Sequence, residues 1–235
     1  MIQFKSVVKT YGALRALDDV TFTVSKGEFF ALLGPNGAGK TTVIRLILNF
    51  TRPAGGQILI KGVPVSQPSV RSSIGYLPEN IRIPVYLSGK EFLNRHAQLC
   101  NMSGRSADIA IDRVVELVGM KGREKNRTGT YSKGMMQRIG LAASLLHSPE
   151  IIILDEPVNG LDPIGIREFR LILEDLKSRG VTVLLNSHIL SEVERLCSTA
   201  AIMDKGKILV KDTVSSLIKD GETLEDVFVR IVKKN

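Results

Sequence analysis

Phe29-Phe30-Ala31-Leu32-Leu33-Gly34-Pro35-Asn36-Gly37-Ala38-Gly39-Lys40-Thr41-Thr42 is the stretch from which the architecture of this chain follows. Its first five residues form an unbroken apolar run, as a strand covered on both faces requires. Gly34 to Thr41 satisfy GxxxxGK[ST], and Val43, Ile44, Leu46 and Ile47 then mark one face of a helix. Strand, glycine-rich loop and helix in that order are the context in which the motif carries its chemistry. Glycines let the main chain turn tightly and bring its N–H groups, backed by a helix N-terminus, against a triphosphate. Gly34, Pro35, Asn36, Gly37, Ala38, Gly39, Lys40, Thr41 and Thr42 are therefore candidates for binding nucleotide. Lys40 would reach the β- and γ-phosphates, and the Thr41 hydroxyl would ligate Mg²⁺. A glycine turn with an incidental Lys-Thr is the competing reading, and the filled motif in its proper context outweighs it.

Working outward, Ile151-Ile152-Ile153-Leu154 is a second buried strand and ends in Asp155-Glu156. In open α/β folds ligands bind beyond the carboxyl ends of the strands, which puts Asp155 where it can hold Mg²⁺. Glu156 is the candidate general base for a water attacking the γ-phosphate. Val181 to Leu185 and Ala200 to Met203 are further short apolar runs, whereas Ile2 to Val7, Val20 to Val24 and Gly56 to Ile60 read as strands near the N-terminus. The expected fold is α/β: a P-loop NTPase core with a mainly parallel sheet, an N-terminal antiparallel β subdomain and an inserted helical subdomain. The insertion is placed at residues 87–147, inside a single domain whose α/β core is 1–86 with 148–235. Within it, Ser88-Gly89-Lys90-Glu91 fits a capping box, followed at helical spacing by Phe92, His96, Leu99 and Cys100. A second helix carries Ala110, Val114, Leu117 and Val118, and a third begins near Ser132. Leu224, Val227, Phe228, Ile231 and Val232 make the apolar face of a last helix docked on the core.

Composition bounds the setting. The chain has 235 residues, 43% of them hydrophobic and 24% charged, the balance of a globular domain with a sizeable core. Its apolar runs are far shorter than the ~18–20 residues that span a bilayer. Met1 to Lys5 alternates instead of giving a basic segment and an apolar block, so no export leader is expected. Thirty-two Lys and Arg against 24 Asp and Glu leave a net charge of +8. A basic surface suits phosphates, nucleic acid or an anionic membrane leaflet alike. The two cysteines, Cys100 and Cys197, form no CxxC pair, which argues against a disulfide framework or structural zinc and for a reducing compartment.

Gly34 to Thr42, Ser132 to Arg138, Ile151 to Pro157 and Ser187-His188 stand in the order and spacing of ATP-binding-cassette (ABC) ATPases, with 23 residues from Ser132 to Asp155. The chain resembles that family over almost its whole length. Ile74 to Asn80, Tyr131 to Met135 and Glu156 to Pro163 look most like the ATPase subunits of ABC-2-type exporters. The resemblance implies that Tyr11, 23 residues before Gly34, stacks on adenine; on its own it reads as an ordinary strand-end tyrosine. It implies that His188 contacts the γ-phosphate and holds the attacking water, a role the residue type alone does not establish. Asp162 would lie in the loop that crosses between subunits. Ser132, Lys133, Gly134 and Met135 would form the signature that binds the ATP of the opposite subunit. Without the resemblance, Ser132 is simply a helix N-cap, and the two roles are compatible.

Two departures from the family pattern bear on function. The usual Leu-Ser-Gly-Gly-Gln is Tyr131-Ser132-Lys133-Gly134-Met135 here, keeping Ser132 and Gly134. The family's glutamine in the loop joining core and helical subdomain is Glu79, a carboxylate that can ligate Mg²⁺ but donates no hydrogen bond. The resemblance implies a transport-coupled ATPase with ATP and Mg²⁺ as cofactors, working as a homodimer, with a heterodimer as the variant. Integral membrane permease subunits would be its partners, no nucleic acid is expected, and it would be cytoplasmic and peripheral on the inner face of the membrane. The alternative is a soluble ABC-type ATPase acting on nucleic acid or ribosomes, which the net charge of +8 keeps open. A regulatory subunit that does not turn over is disfavoured by Glu156 and His188.

Overall fold

The computed structural model describes residues 1–219 and 221–234. The described residues form two sheets. Strands β1 (Ile2–Tyr11), β2 (Leu14–Val24), β4 (Gly55–Ile60) and β5 (Val63–Pro64) make an antiparallel sheet in the order β2-β1-β4-β5. The larger sheet contains β3 (Phe29–Leu33), β6 (Ile74–Leu77), β7 (Ile151–Asp155), β8 (Thr182–Asn186), β9 (Thr199–Asp204) and β10 (Lys207–Thr213) in the order β10-β9-β3-β8-β7-β6. Its strands are parallel apart from β10, which returns antiparallel to β9 through a tight turn at Lys205-Gly206.

The central strand β3 shows why the chain folds this way. All five of its residues are buried, and successive side chains of a strand point to opposite faces. Phe29, Ala31 and Leu33 join the core beneath the helical layer, whereas Phe30 and Leu32 join the core shared with the antiparallel sheet and α1 (Lys40–Ile47). Fully burying each of the phenylalanine and leucine side chains contributes roughly 1.5–3 kcal/mol.

The middle of the chain is helical: α2 (Gly89–Leu99), α3 (Gly104–Leu117) and α4 (Lys133–Leu145) pack on one another, and α4 also packs on β6. Ser88 closes a capping box, accepting from the Glu91 N–H while the Glu91 carboxylate accepts from the Ser88 N–H. The expected face through Leu99 is not the buried one. The buried stripe of α2 centres on Leu93 and Ala97 with Phe92 at its flank, which turns Leu99 outward, 80% exposed. The remaining α-helices among the described residues are α5 (Pro163–Ser178), α6 (Leu190–Leu196), α7 (Val214–Leu217) and α8 (Leu224–Lys233). In α8, Leu224 and Val227 are buried, and Phe228, Ile231 and Val232 pack against the same core. Among the described residues no helix is long and apolar enough to cross a membrane.

Candidate nucleotide site

β3 delivers the chain to Gly34 at the carboxyl edge of the large sheet. No side chain fits at Gly34, where a Cβ would lie 2.3 Å from the Met203 carbonyl oxygen. Gly39 caps α1 with φ 106°, a left-handed conformation natural to glycine, and no side chain caps the helix. The first-turn N–H groups of α1 are thus left for an anion, favoured there by the helix dipole. Lys40 folds back over the loop, its Nζ donating to the carbonyls of Gly34 (2.6 Å) and Pro35 (3.1 Å). Burial lowers its pKa from the ordinary lysine value, opposed by the nearby carboxylates of Glu156 and Asp155.

The loop forms one wall of a cleft of about 1020 Å³. Tyr11, all nine residues from Gly34 to Thr42, Glu79, Asp155, Glu156 and His188 line it together. Tyr11 ends β1, 40% exposed, with Lys9 Nζ 4.7 Å from its ring centroid. Parallel pairing of β7 and β8 sets Asp155 opposite Asn186. Asn186 Nδ2 donates to Asp155 Oδ1 at 2.6 Å. Burial pushes the Asp155 carboxyl above its ordinary range; the Asn186 bond pulls it down, Glu79 pushes it up and Lys40 pulls it down.

Glu156 follows directly, in a left-handed conformation (φ 49°) that is costly for a residue with a Cβ. Its N–H donates to the Asn186 carbonyl at 2.8 Å, and the turn aims the carboxylate at His188. Glu156 Oε2 accepts from the His188 N–H (3.1 Å) and lies 2.7 Å from His188 Nδ1. Base candidate and histidine therefore share one oxygen. Opposite, Glu79 Oε1 accepts from Asn159 Nδ2 (3.0 Å), and the Glu79 carbonyl accepts from Gln137 Nε2 of α4 (3.0 Å).

Thr41, Glu79 and Asp155 give this end of the cleft hard oxygen donors. Among the described residues no three His, Cys, Asp or Glu side chains converge into a metal cage. A partial oxygen set beside a phosphate loop fits Mg²⁺, which keeps several waters and takes further ligands from substrate phosphates.

Ser132, Lys133, Gly134, Met135 and Asp162 do not line the cleft. Ser132 caps α4, its Oγ accepting from the Met135 N–H at 3.2 Å, and Asp162 caps α5, its Oδ1 accepting from Gly165 at 2.7 Å. Sequence reasoning missed several residues that do line it. Asn159 and Asn186 hold the two carboxylates, Arg15 and Lys205 bring positive charge, and Phe228 arrives from α8. Only the position of Asn186, at the end of the apolar run 181–185, could have flagged it.

The chain is similar to known proteins over most of its length. Residues 17–159 match the family model described as ABC transporter. An uncharacterized ABC transporter ATP-binding protein of Nostoc sp. is 41% identical over 88% of this chain, which spans only 63% of that relative's length. A lantibiotic transport ATP-binding protein of Streptococcus pyogenes is 36% identical, covering 97% of this chain and 96% of its own. A solved ATP-binding subunit of an ABC transporter superposes with a TM-score of 0.88 at 29% identity, over 99% of both chains.

Proposed function

We infer the function from membership: the chain belongs to the ABC transporter family, on its family match and its relatives. On that premise it binds and hydrolyses ATP to power transport by separately encoded membrane subunits of the ABC-2 type. The observation that carries this reading is the convergence of the Gly34–Thr42 loop, Asp155, Glu156 and His188 on one cleft. The loop and the start of α1 bind the phosphates, with Lys40 exchanging its loop carbonyls for phosphate oxygens. Tyr11 offers a flat face to the adenine. Thr41, Asp155 and Glu79 would hold Mg²⁺, which when bound neutralises charge on the phosphates. Glu156 takes the proton of the attacking water, and His188 fixes both the carboxylate and the water.

Residues 87–147 act as the helical signature subdomain and 1–86 with 148–235 as the nucleotide-binding core. Because Ser132 to Met135 lie outside their own chain's cleft, they would complete the cleft of a second copy, giving a head-to-tail homodimer with two ATPs between the subunits. ATP drives closure by binding the closed dimer better than the open pair. A groove of about 350 Å³ between the segment after β6 and helices α2 and α4, lined by Tyr76, Ile81, Phe92, His96 and Gly140, would receive cytoplasmic helices of the membrane subunit. The chain would then lie peripherally on the inner face of the membrane.

The test is co-purification of tagged Glu156→Gln protein from detergent-solubilised membranes with Mg-ATP present. A stoichiometric polytopic membrane protein is the expected result. Recovery of ribosomes, nucleic acid or soluble proteins alone would refute the transport reading while leaving the ATPase chemistry in place.

A further inference from the structure

Residues 82–90 and 121–130, which lie outside the nucleotide cleft, are joined into one ledge. The Gly129 N–H donates to the Val85 carbonyl (3.2 Å), Thr128 to Leu87 (2.8 Å) and Lys90 to Glu124 (2.6 Å). Thr128 Oγ1 adds a bond to the Pro84 carbonyl (2.9 Å), and Ser88 pairs with Arg127 in an antiparallel bridge. The two strands of chain touch so closely that a Cβ at Gly129 would lie 3.1 Å from the Val85 Cβ.

On this ledge Val85 and Tyr86 are each 65% exposed. The same two segments carry Lys121, Arg123, Lys125 and Arg127, all exposed, the half-buried Lys90, and Arg82, which is exposed at the edge of the groove between α2 and α4. The two segments hold these six cations against one carboxylate, Glu124, and so carry most of the chain's net charge of +8. The neighbouring anions are Glu116, 3.2 Å from Lys121, and Glu91, whose carboxyl is held low chiefly by Ser88 and also by Arg95 and Arg127. Counting both, cations still outnumber carboxylates on this surface.

An exposed apolar side chain and an exposed tyrosine on a ledge whose segments carry six Lys and Arg match a lipid–water interface. Tyrosine seats its ring at headgroup level with its hydroxyl in water, while lysine and arginine stems lie along apolar surface and reach phosphates. A polyanion in solution would engage the cations, and an RNA base could stack on Tyr86, but neither gives the exposed Val85 an apolar phase to enter, as a bilayer does. We propose that this ledge rests directly on anionic lipid headgroups, so that the chain touches the bilayer itself and not only its membrane subunit. The contact does not depend on the transport reading. Lipid binding can fail while co-purification with a permease succeeds, and the reverse.

The chain has no tryptophan, so Tyr86→Trp supplies a single fluorescent reporter. The expected result is flotation with phosphatidylglycerol-containing vesicles and a blue shift of that fluorescence, both absent with phosphatidylcholine alone and weakened by salt. Replacing Lys121, Arg123, Lys125 and Arg127 together by Glu is expected to lower vesicle affinity more than roughly hundredfold, at about fivefold per cation. A control set on other surfaces, Lys5→Glu, Lys26→Glu and Arg71→Glu, is expected to lower it far less. ATP binding by every variant reports that the fold is intact. The proposal is overturned by no binding to anionic vesicles, by equal loss in the control set, or by binding of RNA but not vesicles through the ledge.

Discussion

Glu156→Gln tests the catalytic assignment because the structure separates its chemistry from its architecture. Glu156 Oε2 accepts from the His188 N–H at 3.1 Å and sits 2.7 Å from Nδ1. A glutamine carbonyl oxygen can take the same position and keep an acceptor there, and glutamine tolerates the left-handed backbone no worse than glutamate. The fold and the nucleotide affinity are therefore expected to stay near the parental values. What disappears is the proton acceptor, and general-base catalysis is worth about 10²–10⁴-fold. His188→Ala is expected to cost less, because it removes one of the two contacts to Oε2 and leaves the backbone N–H. A hydrogen bond to a charged group is worth about 1.5–3 kcal/mol, or roughly 10–150-fold. Since both side chains act through one oxygen, the double variant is expected to fall little below Glu156→Gln alone. Steady-state phosphate release gives the rates, and equilibrium binding of a fluorescent ATP analogue gives the affinities. Parental turnover in Glu156→Gln, or strictly additive losses in the double variant, would refute the assignment.

Asp155→Asn is expected to stabilise the nucleotide-free protein at neutral pH while abolishing Mg-ATP turnover. Burial raises the Asp155 carboxyl above its unfolded value, so its stabilising contribution is present below the ordinary aspartate range and lost as pH rises through the folded value. Thermal melts of both proteins from acid to neutral pH check this, and a variant less stable at neutral pH contradicts it. Ser132→Arg is expected to cost about 1 kcal/mol through the lost cap and to suppress ATP-dependent dimerisation seen by light scattering. Normal dimerisation would remove the trans-acting signature from the reading. Arg170 makes a two-pronged pair with Glu192 (2.7 and 3.1 Å), and Glu192 is only 8% exposed. Arg170→Ala strands that carboxylate and is expected to destabilise by about 3 kcal/mol in urea melts; a change well under 1 kcal/mol would show the pair to be solvent-screened.

What was legible in the sequence was local. The run Phe29–Leu33 and the loop after it announce a buried strand and a phosphate nest because strand burial and tight turns both act over a few residues. The Ser88–Glu91 capping box is legible for the same reason. Long-range register is not. Nothing in Val181–Asn186 says that this strand pairs with β7 so that Asn186 faces Asp155, because any parallel offset leaves its apolar pattern intact. Nor does the sequence show that Gln137 reaches the Glu79 carbonyl 58 residues away, or that Phe228 of the last helix lines the cleft. The outward turn of Leu99 escaped because helical spacing defines a stripe only once its centre is known, and that centre is set by what α3 and α4 present to it.

Glu79 is where the departure from the family pattern meets the architecture. Its carbonyl is bound by Gln137, a side chain of α4 that is 2% exposed, and its carboxylate by Asn159, three residues beyond Glu156. The residue therefore ties the helix that begins at Ser132 to the strand end that carries the catalytic candidates. A carboxylate suits that position better than its charge suggests, since Asn159 Nδ2 supplies a donor that a glutamine oxygen would use equally. The cost of the extra negative charge falls instead on Asp155, whose carboxyl Glu79 pushes further above its ordinary range. A cation bound between Glu79 and Asp155 would relieve that repulsion. If Mg²⁺ binds there as proposed, glutamate at this position would favour the metal-loaded cleft over the empty one, and a movement of α4 that draws Glu79 away would weaken the hold on the metal.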